Sequence, residues 1–468
     1  MIMKSLALAF ALVAAAPVSG AAPTPSPTSP ATPPPADPGA PPATAGTPQE
    51  PALPLLHLDE AVRQALAAQP TLRQAQAQTL AAEARNDEAR SQVLPQLSAS
   101  AGYRLTTSNC IDSPGSPIPC SARAASAPDK LKFFDYYSGS ATLSQTLFDY
   151  GAFQRYRGAG AATRAQRSTE QATRLSVLGN VRGAFFNARG TRALLRVAQD
   201  TVANQQRHLE QVQGFVEVGT RPRIDLAQSR ADLANAEVQR INADNNYRTA
   251  KAQLMQAMGR EGPADFEVAD DTLPEVPGED TAPSLLLDEA QRARPEIASL
   301  QEQVRAQELT VSAATGGYLP TLGLGSTVNY GGTQLNELGW NWNASATLTW
   351  QIFQGGLTAA TVREGEANLA ALKAQLDGLR QQVSLQLEQA RLAVGAAKAA
   401  LAASITALEN ANERLSLAEA RYRTGVGSII ELGDAQVAET NAAGQRVQAE
   451  YNLASARAQL LQALGRAD

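Results

Sequence analysis

Few side chains in this 468-residue chain could do chemistry, because it holds only two histidines, two cysteines and four methionines. Imidazole- or thiolate-rich metal centres are therefore out of reach, and no cofactor is expected. His57 stands near Asp59 and Glu60, a fragment of an acid–base site, but no nucleophile accompanies it and it precedes the first helical stretch. His208 falls in a long heptad-bearing segment, where an outer face is expected. Arg294-Pro295-Glu296 and the Gly-x-Gly pairs at 158–160 and 323–325 lack the strand–turn–helix setting of a nucleotide fingerprint. Cys110 and Cys120 sit in a Ser/Pro/Gly-rich stretch and are expected to form a disulfide that staples an exposed loop. Three carboxylates recur in register: Asp225 follows Gly219 by six residues, Glu431 follows Gly425 by six, and Asp434 comes three later. Taken singly, each suits a helix start, where it complements the dipole. A net charge of −5 argues against nucleic acid as a partner.

The elements that would position these residues are unusual. Residues 1–22 read as a secretory signal peptide, with Lys4, an apolar run from Leu6 to Ala16, and small residues at Gly20, Ala21 and Ala22. Residues 23–54 hold 13 of the 27 prolines and form an expected disordered tether. Beyond them no run of about 18 apolar residues occurs, so a membrane-spanning mature chain would have to be a β-barrel.

The rest is written twice. Asp59-Glu60-Ala61 returns as Asp288-Glu289-Ala290, Leu94-Pro95 as Leu319-Pro320, and Phe148-Asp149-Tyr150-Gly151 as Phe353-Gln354-Gly355-Gly356. Leu254 to Arg260 returns as Leu460 to Arg466. The spacing predicts a first repeat over 55–261, a Pro/Asp/Glu-rich linker over 262–283 and a second repeat over 284–468. Each repeat reads as a helix, a β-hairpin (about 96–149 and 321–354) and two long helices (about 152–258 and 357–465).

The hairpin windows 103–156 and 318–353 carry 15 of the 23 aromatics, including all three Trp, as lipid-boundary girdles require. Four strands cannot close a barrel, so a membrane role demands oligomers. The segments Ala152–Val218 and Leu357–Thr424 lack proline altogether and would each span about 100 Å as continuous helices. Leu195, Ala198, Val202, Gln205, Leu209, Val212 and Val216 form a 3-4 seam, and Leu401, Ile405, Leu408, Asn412 and Leu415 are expected to form its counterpart. An exported coiled-coil stalk or adhesin with a small β-cap and no pore is the alternative class. An Asp/Glu hydrolase is disfavoured by the repetitive, aromatic-poor helices.

In the order and spacing of Leu58-Asp59-Glu60-Ala61-Val62-Arg63-Gln64-Ala65-Leu66, the two Leu-Pro exits, the two Phe-x-x-Gly re-entries and the turns at Val218-Gly219 and Arg421 to Gly425, the chain resembles the TolC family of outer-membrane channel proteins over about residues 55–468. The resemblance implies a mainly α protein with a transmembrane β-barrel portion. Its homotrimer forms a 12-strand barrel in outer membrane lipid, continued by a 12-helix periplasmic α-barrel with coiled-coil tips. It implies no enzyme but a passive exit duct for efflux or type I secretion, served by an inner membrane pump (RND, ABC or MFS type). A periplasmic adaptor would dock on the tips Val218, Gly219, Thr220, Thr424, Gly425 and Val426. Asp225, Glu431 and Asp434 would line the aperture as rings of acids, which attract cations and repel anions. Tyr422 and Asp225 occupy the family's latch positions. The family's arginine two residues after the second turn glycine is Gly427 here, while Arg221 stands at the equivalent point of the first repeat, which implies a weaker or rearranged latch.

Overall fold

The structure, a computed structural model, describes residues 54–107, 133–279 and 283–467. The signal segment, the tether before Pro54 and the Cys110–Cys120 pair lie outside the described residues. The first repeat runs β1 (Leu55–Leu56), α1 (Leu58–Ala68), α2 (Pro70–Ser91), β2 (Gln96–Thr107), β3 (Phe133–Phe148), α3 (Tyr150–Glu217) and α4 (Arg223–Ala257). After β4 (Glu267–Val268), the second runs α5 (Pro283–Ala293), α6 (Pro295–Thr315), β5 (Thr321–Gly332), β6 (Gly339–Thr349), α7 (Leu357–Arg423) and α8 (Ile429–Leu464).

Each opening helix is split in two, contrary to the single helix the sequence suggested. The proline ring disfavours helical backbone at the preceding residue. Gln69 accordingly takes φ −62° and ψ 120°, and Arg294 takes φ −74° and ψ 118°. Proline then opens the next helix, where its missing N–H costs nothing.

The ends of the long helices lodge against these breaks. Both α4 and α8 finish in a Schellman turn around a left-handed glycine, Gly259 (φ 70°) and Gly465 (φ 74°). The Arg260 and Arg466 amides donate back to the Met255 and Leu461 carbonyls at 3.0 Å each. A β-carbon on Gly259 would lie 2.6 Å from Gln69 Cα, and one on Gly465 would lie 3.1 Å from the Ala293 carbonyl carbon. The side chain before each proline caps the arriving helix. Gln69 Nε2 donates to the Ala257 carbonyl at 3.1 Å, and Arg294 Nε to that of Ala463 at 2.9 Å. The duplicated endings and the duplicated X-Pro pairs thus form two copies of one joint.

The segment read as a linker is packed into the body. β1 pairs in parallel with β4, Leu55 with Glu267 and Leu56 with Val268, and Val268, Ala269, Val276 and Glu279 are buried. Its acids meet cations from the long helices: Arg192 holds Glu267 at 3.2 Å. Glu279 sits between Lys398 at 2.7 Å and Arg457 at 3.1 Å. Burial would raise the Glu279 carboxyl, but hydrogen bonds from Arg457, Lys398 and the Val276 amide hold it below its ordinary value. One apolar core (Val181, Phe185, Phe186, Leu254, Met258) belongs to the first repeat and another (Ile297, Val383, Leu387, Leu460, Leu464) to the second.

The hairpins merge into one antiparallel sheet in the order β2-β3-β5-β6. Register places Leu97, Ala99, Ala101, Tyr103, Leu143, Leu324, Val328, Tyr330, Trp340, Trp342 and Leu348 on one face. The opposite face carries Ser98, Ser100, Ser140, Thr142, Thr327, Asn329, Asn341 and Asn343. Hydrogen bonds cross it between Ser100 and Ser140, Thr327 and Thr142, and Asn329 and Asn341, at 2.9, 3.2 and 3.0 Å. The large apolar side chains are exposed, Trp340 at 68% and Leu97 at 78%. Among the described residues, β2 and β6 are each paired along one edge only.

Candidate functional site

The helices α3 and α7, 68 and 67 residues long, each reach about 100 Å from the sheet to a turn. Along α3 the seam from Leu195 to Val216 is buried or half-buried. On α7 the register differs from the expected one. Leu401, Ser404, Leu408, Ala411, Leu415, Ala418 and Tyr422 form the seam, whereas Ile405 and Asn412 are exposed. Apolar size at Ile405 is a misleading guide, because the small residues Ser404, Ala411 and Ala418 let the helices approach closely.

Both tips reverse in Schellman turns. Gly219 (φ 77°) and Gly425 (φ 80°) supply the left-handed residue. The Thr220 and Val426 amides donate to the Phe215 and Arg421 carbonyls at 2.9 and 3.1 Å. A β-carbon on either glycine would meet nothing within 4 Å, so backbone conformation alone demands glycine here. The tips then diverge. Helix α4 starts after Pro222, which offers no side-chain cap. Helix α8 starts after Ser428, whose Oγ accepts from the Glu431 amide at 3.1 Å, half of a capping box. Val218, Ile224, Val426 and Ile430 are all more than 70% exposed, leaving four apolar side chains in water at the tips.

Beneath the turns lies a small core of Val212, Ala418, Tyr422, Leu432 and Ala435. Tyr422 Oη donates to Asp225 Oδ2 at 3.4 Å. The Arg221 guanidinium lies 4.3 Å from the Tyr422 ring centroid and donates to the Tyr422 carbonyl at 2.8 Å and to that of Gly427 at 3.4 Å. Burial raises the Tyr422 phenol, assisted by Asp225, so it stays protonated and able to donate. Arg221 thus reaches from the first repeat onto the second. A reciprocal arginine at Gly427 would crowd the turn, because a β-carbon there would lie 3.0 Å from the Tyr422 amide nitrogen and 3.1 Å from Arg421 Cβ.

The three acids part company. Asp225, expected both at the aperture and in the latch, is 5% exposed within the chain and turned toward Tyr422. Glu431 pairs with Arg421 at 3.1 Å. Asp434 is exposed and borders a groove between α4 and α8 with Asp232, Ile430 and Val437.

His208 also corrects an expectation. It is 7% exposed, and its ring packs edge-on to Tyr422 at 5.6 Å. Burial lowers its pKa, opposed by Asp232, Glu419 and Asp225. It belongs to a polar pocket with Gln205, Gln436, Glu439 and Thr440, where burial raises the Glu439 carboxyl and Gln205 Oε1 lacks a hydrogen-bond partner. The signal for His208 was its spacing, three residues after Gln205 and four before Val212, both on the seam. Among the described residues no cluster of His, Cys, Asp and Glu could hold a metal.

Comparison with known proteins agrees with this architecture. The outer membrane protein TolC of Escherichia coli K12 is 26% identical over 428 residues, 87% of this chain and 82% of that one. The outer membrane efflux protein BepC of Brucella suis is 27% identical over 69% of this chain and 71% of its own. The Campylobacter jejuni CmeC outer membrane channel superposes with a TM-score of 0.75 at 19% identity, covering 87% of this chain and 85% of that one. The sequence model of the outer membrane efflux protein family matches residues 61–260 and 286–466. With its duplicated hairpins and long helices, the chain is thus an outer membrane protein that belongs to the outer membrane efflux protein family.

Proposed function

We propose that three copies of this chain close a 12-strand barrel and a 12-helix periplasmic tunnel, forming the exit duct of a tripartite efflux pump or type I secretion system. The observation that carries this reading is the four-stranded sheet, which is apolar and aromatic on one face, Ser/Thr/Asn-rich on the other and, among the described residues, unpaired along both edges. Apolar belts belong in lipid, and closure by identical copies removes the edges. The duct is passive, and an inner membrane pump supplies the energy. The exposed tips at Val218, Gly219, Thr220, Thr424, Gly425 and Val426 dock the periplasmic adaptor. Glu431 and Asp434 form threefold acid rings at the aperture, while Arg221, Tyr422 and Asp225 hold the tip shut. Purified protein is expected to run as a trimer and to open cation-preferring channels in planar bilayers. Crosslinkers at Thr220 and Val426 are expected to capture an adaptor in vivo. Protein that stays monomeric and forms no channels would overturn the duct in favour of a stalk.

A further inference from the structure

The polar face of the sheet is nearly free of charge. Among its described side chains on β2, β3, β5 and β6, Arg104 alone carries one. Alternation fixes its side: Arg104 pairs in register with Tyr136, while its neighbours Tyr103 and Leu105 pair with Tyr137 and Asp135 on the other face. Asp135 does not neutralise it, because that carboxylate faces away and accepts from Tyr103 Oη at 2.7 Å. No ion pair to Arg104 occurs among the described residues. Arg104 also lies toward the outer end of β2, three residues beyond Ala101, which aligns through Gly139 and Tyr330 with Trp340.

Tyr136, its register partner, is a large side chain at that end of the face. The phenol lies across Gly331 of β5, its hydroxyl 2.5 Å from where a β-carbon on that glycine would stand. A side chain at Gly331 would displace it. Below Arg104 and Tyr136 the polar face presents chiefly serine, threonine, asparagine and glycine.

We infer that Arg104, flanked by Tyr136, forms a threefold cationic ring at the outer mouth of the barrel that binds carboxylate- or phosphate-bearing solutes as they leave. This rests on the trimeric duct proposed above. A guanidinium offers paired donors matched to such oxyanions, and three of them around one axis act together on a multivalent anion. The duct would then be electrically polar, with acids at the periplasmic aperture and arginines at the exit.

The test applies inorganic triphosphate to full-chain trimers in planar bilayers, from each side in turn. Wild-type channels are expected to block at lower concentration from the barrel side than from the tip side. Arg104→Ala should raise the barrel-side blocking concentration about tenfold or more, Arg104→Lys should retain much of the block, and Gly331→Val, which dislodges Tyr136, should weaken it less than Arg104→Ala. Conducting Arg104→Ala channels that block like wild type would overturn the ring while leaving the duct intact. Failure of the wild type to form channels would overturn the duct and the ring with it.

Discussion

The middle of the helical body and its tips treat the duplication in opposite ways. At the joints, which a whole helix, α2 or α6, separates from the sheet, both repeats use one solution, a left-handed glycine of an arriving helix seated against an X-Pro break, with the side chain before the proline capping a carbonyl. At the tips the repeats share only the reversing glycine. There Arg221 of the first repeat grips Tyr422 of the second, and Gly427 stands where a reciprocal arginine would be. Closing helix ends is a requirement both repeats share, so its solution appears twice. The tip contacts join the repeats to each other, and one interlocking set of side chains serves both.

The largest effect that would test this contrast lies at the joints. Gly259→Ala is expected to cost about 3 kcal/mol, from left-handed strain and from collision with the Gln69 backbone. Gly465→Ala, with more room, should cost about 2 kcal/mol, and Gly219→Ala or Gly425→Ala, which strain only the backbone, about 1 kcal/mol each. Thermal unfolding of the four purified variants checks the ranking; equal losses would erase the distinction between joint and tip.

At the tip, Arg221→Ala removes a cation–π contact and two bonds to backbone carbonyls. It should destabilise the closed arrangement by about 1–2 kcal/mol, seen as a higher single-channel conductance. Adding Gly427→Arg to that variant should fail to restore closure, because the crowding begins at the β-carbon. A rescue would show that the two repeats remain interchangeable there. Tyr422→Phe deletes one bond at the edge of hydrogen-bond range and should shift closure by no more than about 1 kcal/mol, so its conductance should fall between wild type and Arg221→Ala.

The smallest effect concerns pH. Burial holds His208 below its ordinary 6.5, so the unfolded chain takes up a proton before the folded one does. The associated stability is present above about pH 6.5 and is lost as pH falls through the lowered folded value. Glu439, raised by burial, works in the other sense: its stability is present below its unfolded value and is lost as pH rises through the raised one. His208→Gln should therefore flatten melting temperature against pH on the acid side of neutrality and leave the Glu439 component in place.

Much of this architecture was written in local signals. Proline-free stretches marked the long helices, Leu-Pro pairs marked the exits into strands, and the repeated glycines marked the turns. Side-chain partnership was harder to read. The α7 seam passes through Ser404, Ala411 and Ala418, which are small for geometric reasons and look like surface residues in a string of letters. Reading that register would have led to Tyr422 as its last member. The 262–283 segment looked like a spacer because Pro and acids dominate it, yet its acids pair with Arg192, Lys398 and Arg457, residues distant in the chain. Asp225 and Asp434 both looked like aperture acids, and only their neighbours separate a carboxylate facing Tyr422 from one facing water.

The joints have a further consequence. Gln69 and Ala257 are 188 residues apart in the chain and touch, as do Arg294 and Ala463, 169 apart. Each repeat therefore begins and finishes at one place, like a clasped bracelet, despite the long excursion to the tip and back between. Drawing the ends of so long a loop together costs little more than for a short one, and the clasp contacts are internal to each repeat. Two polypeptides, one per repeat, would each retain the contacts that clasp them, so what covalent continuity adds is a one-to-one ratio of the two halves.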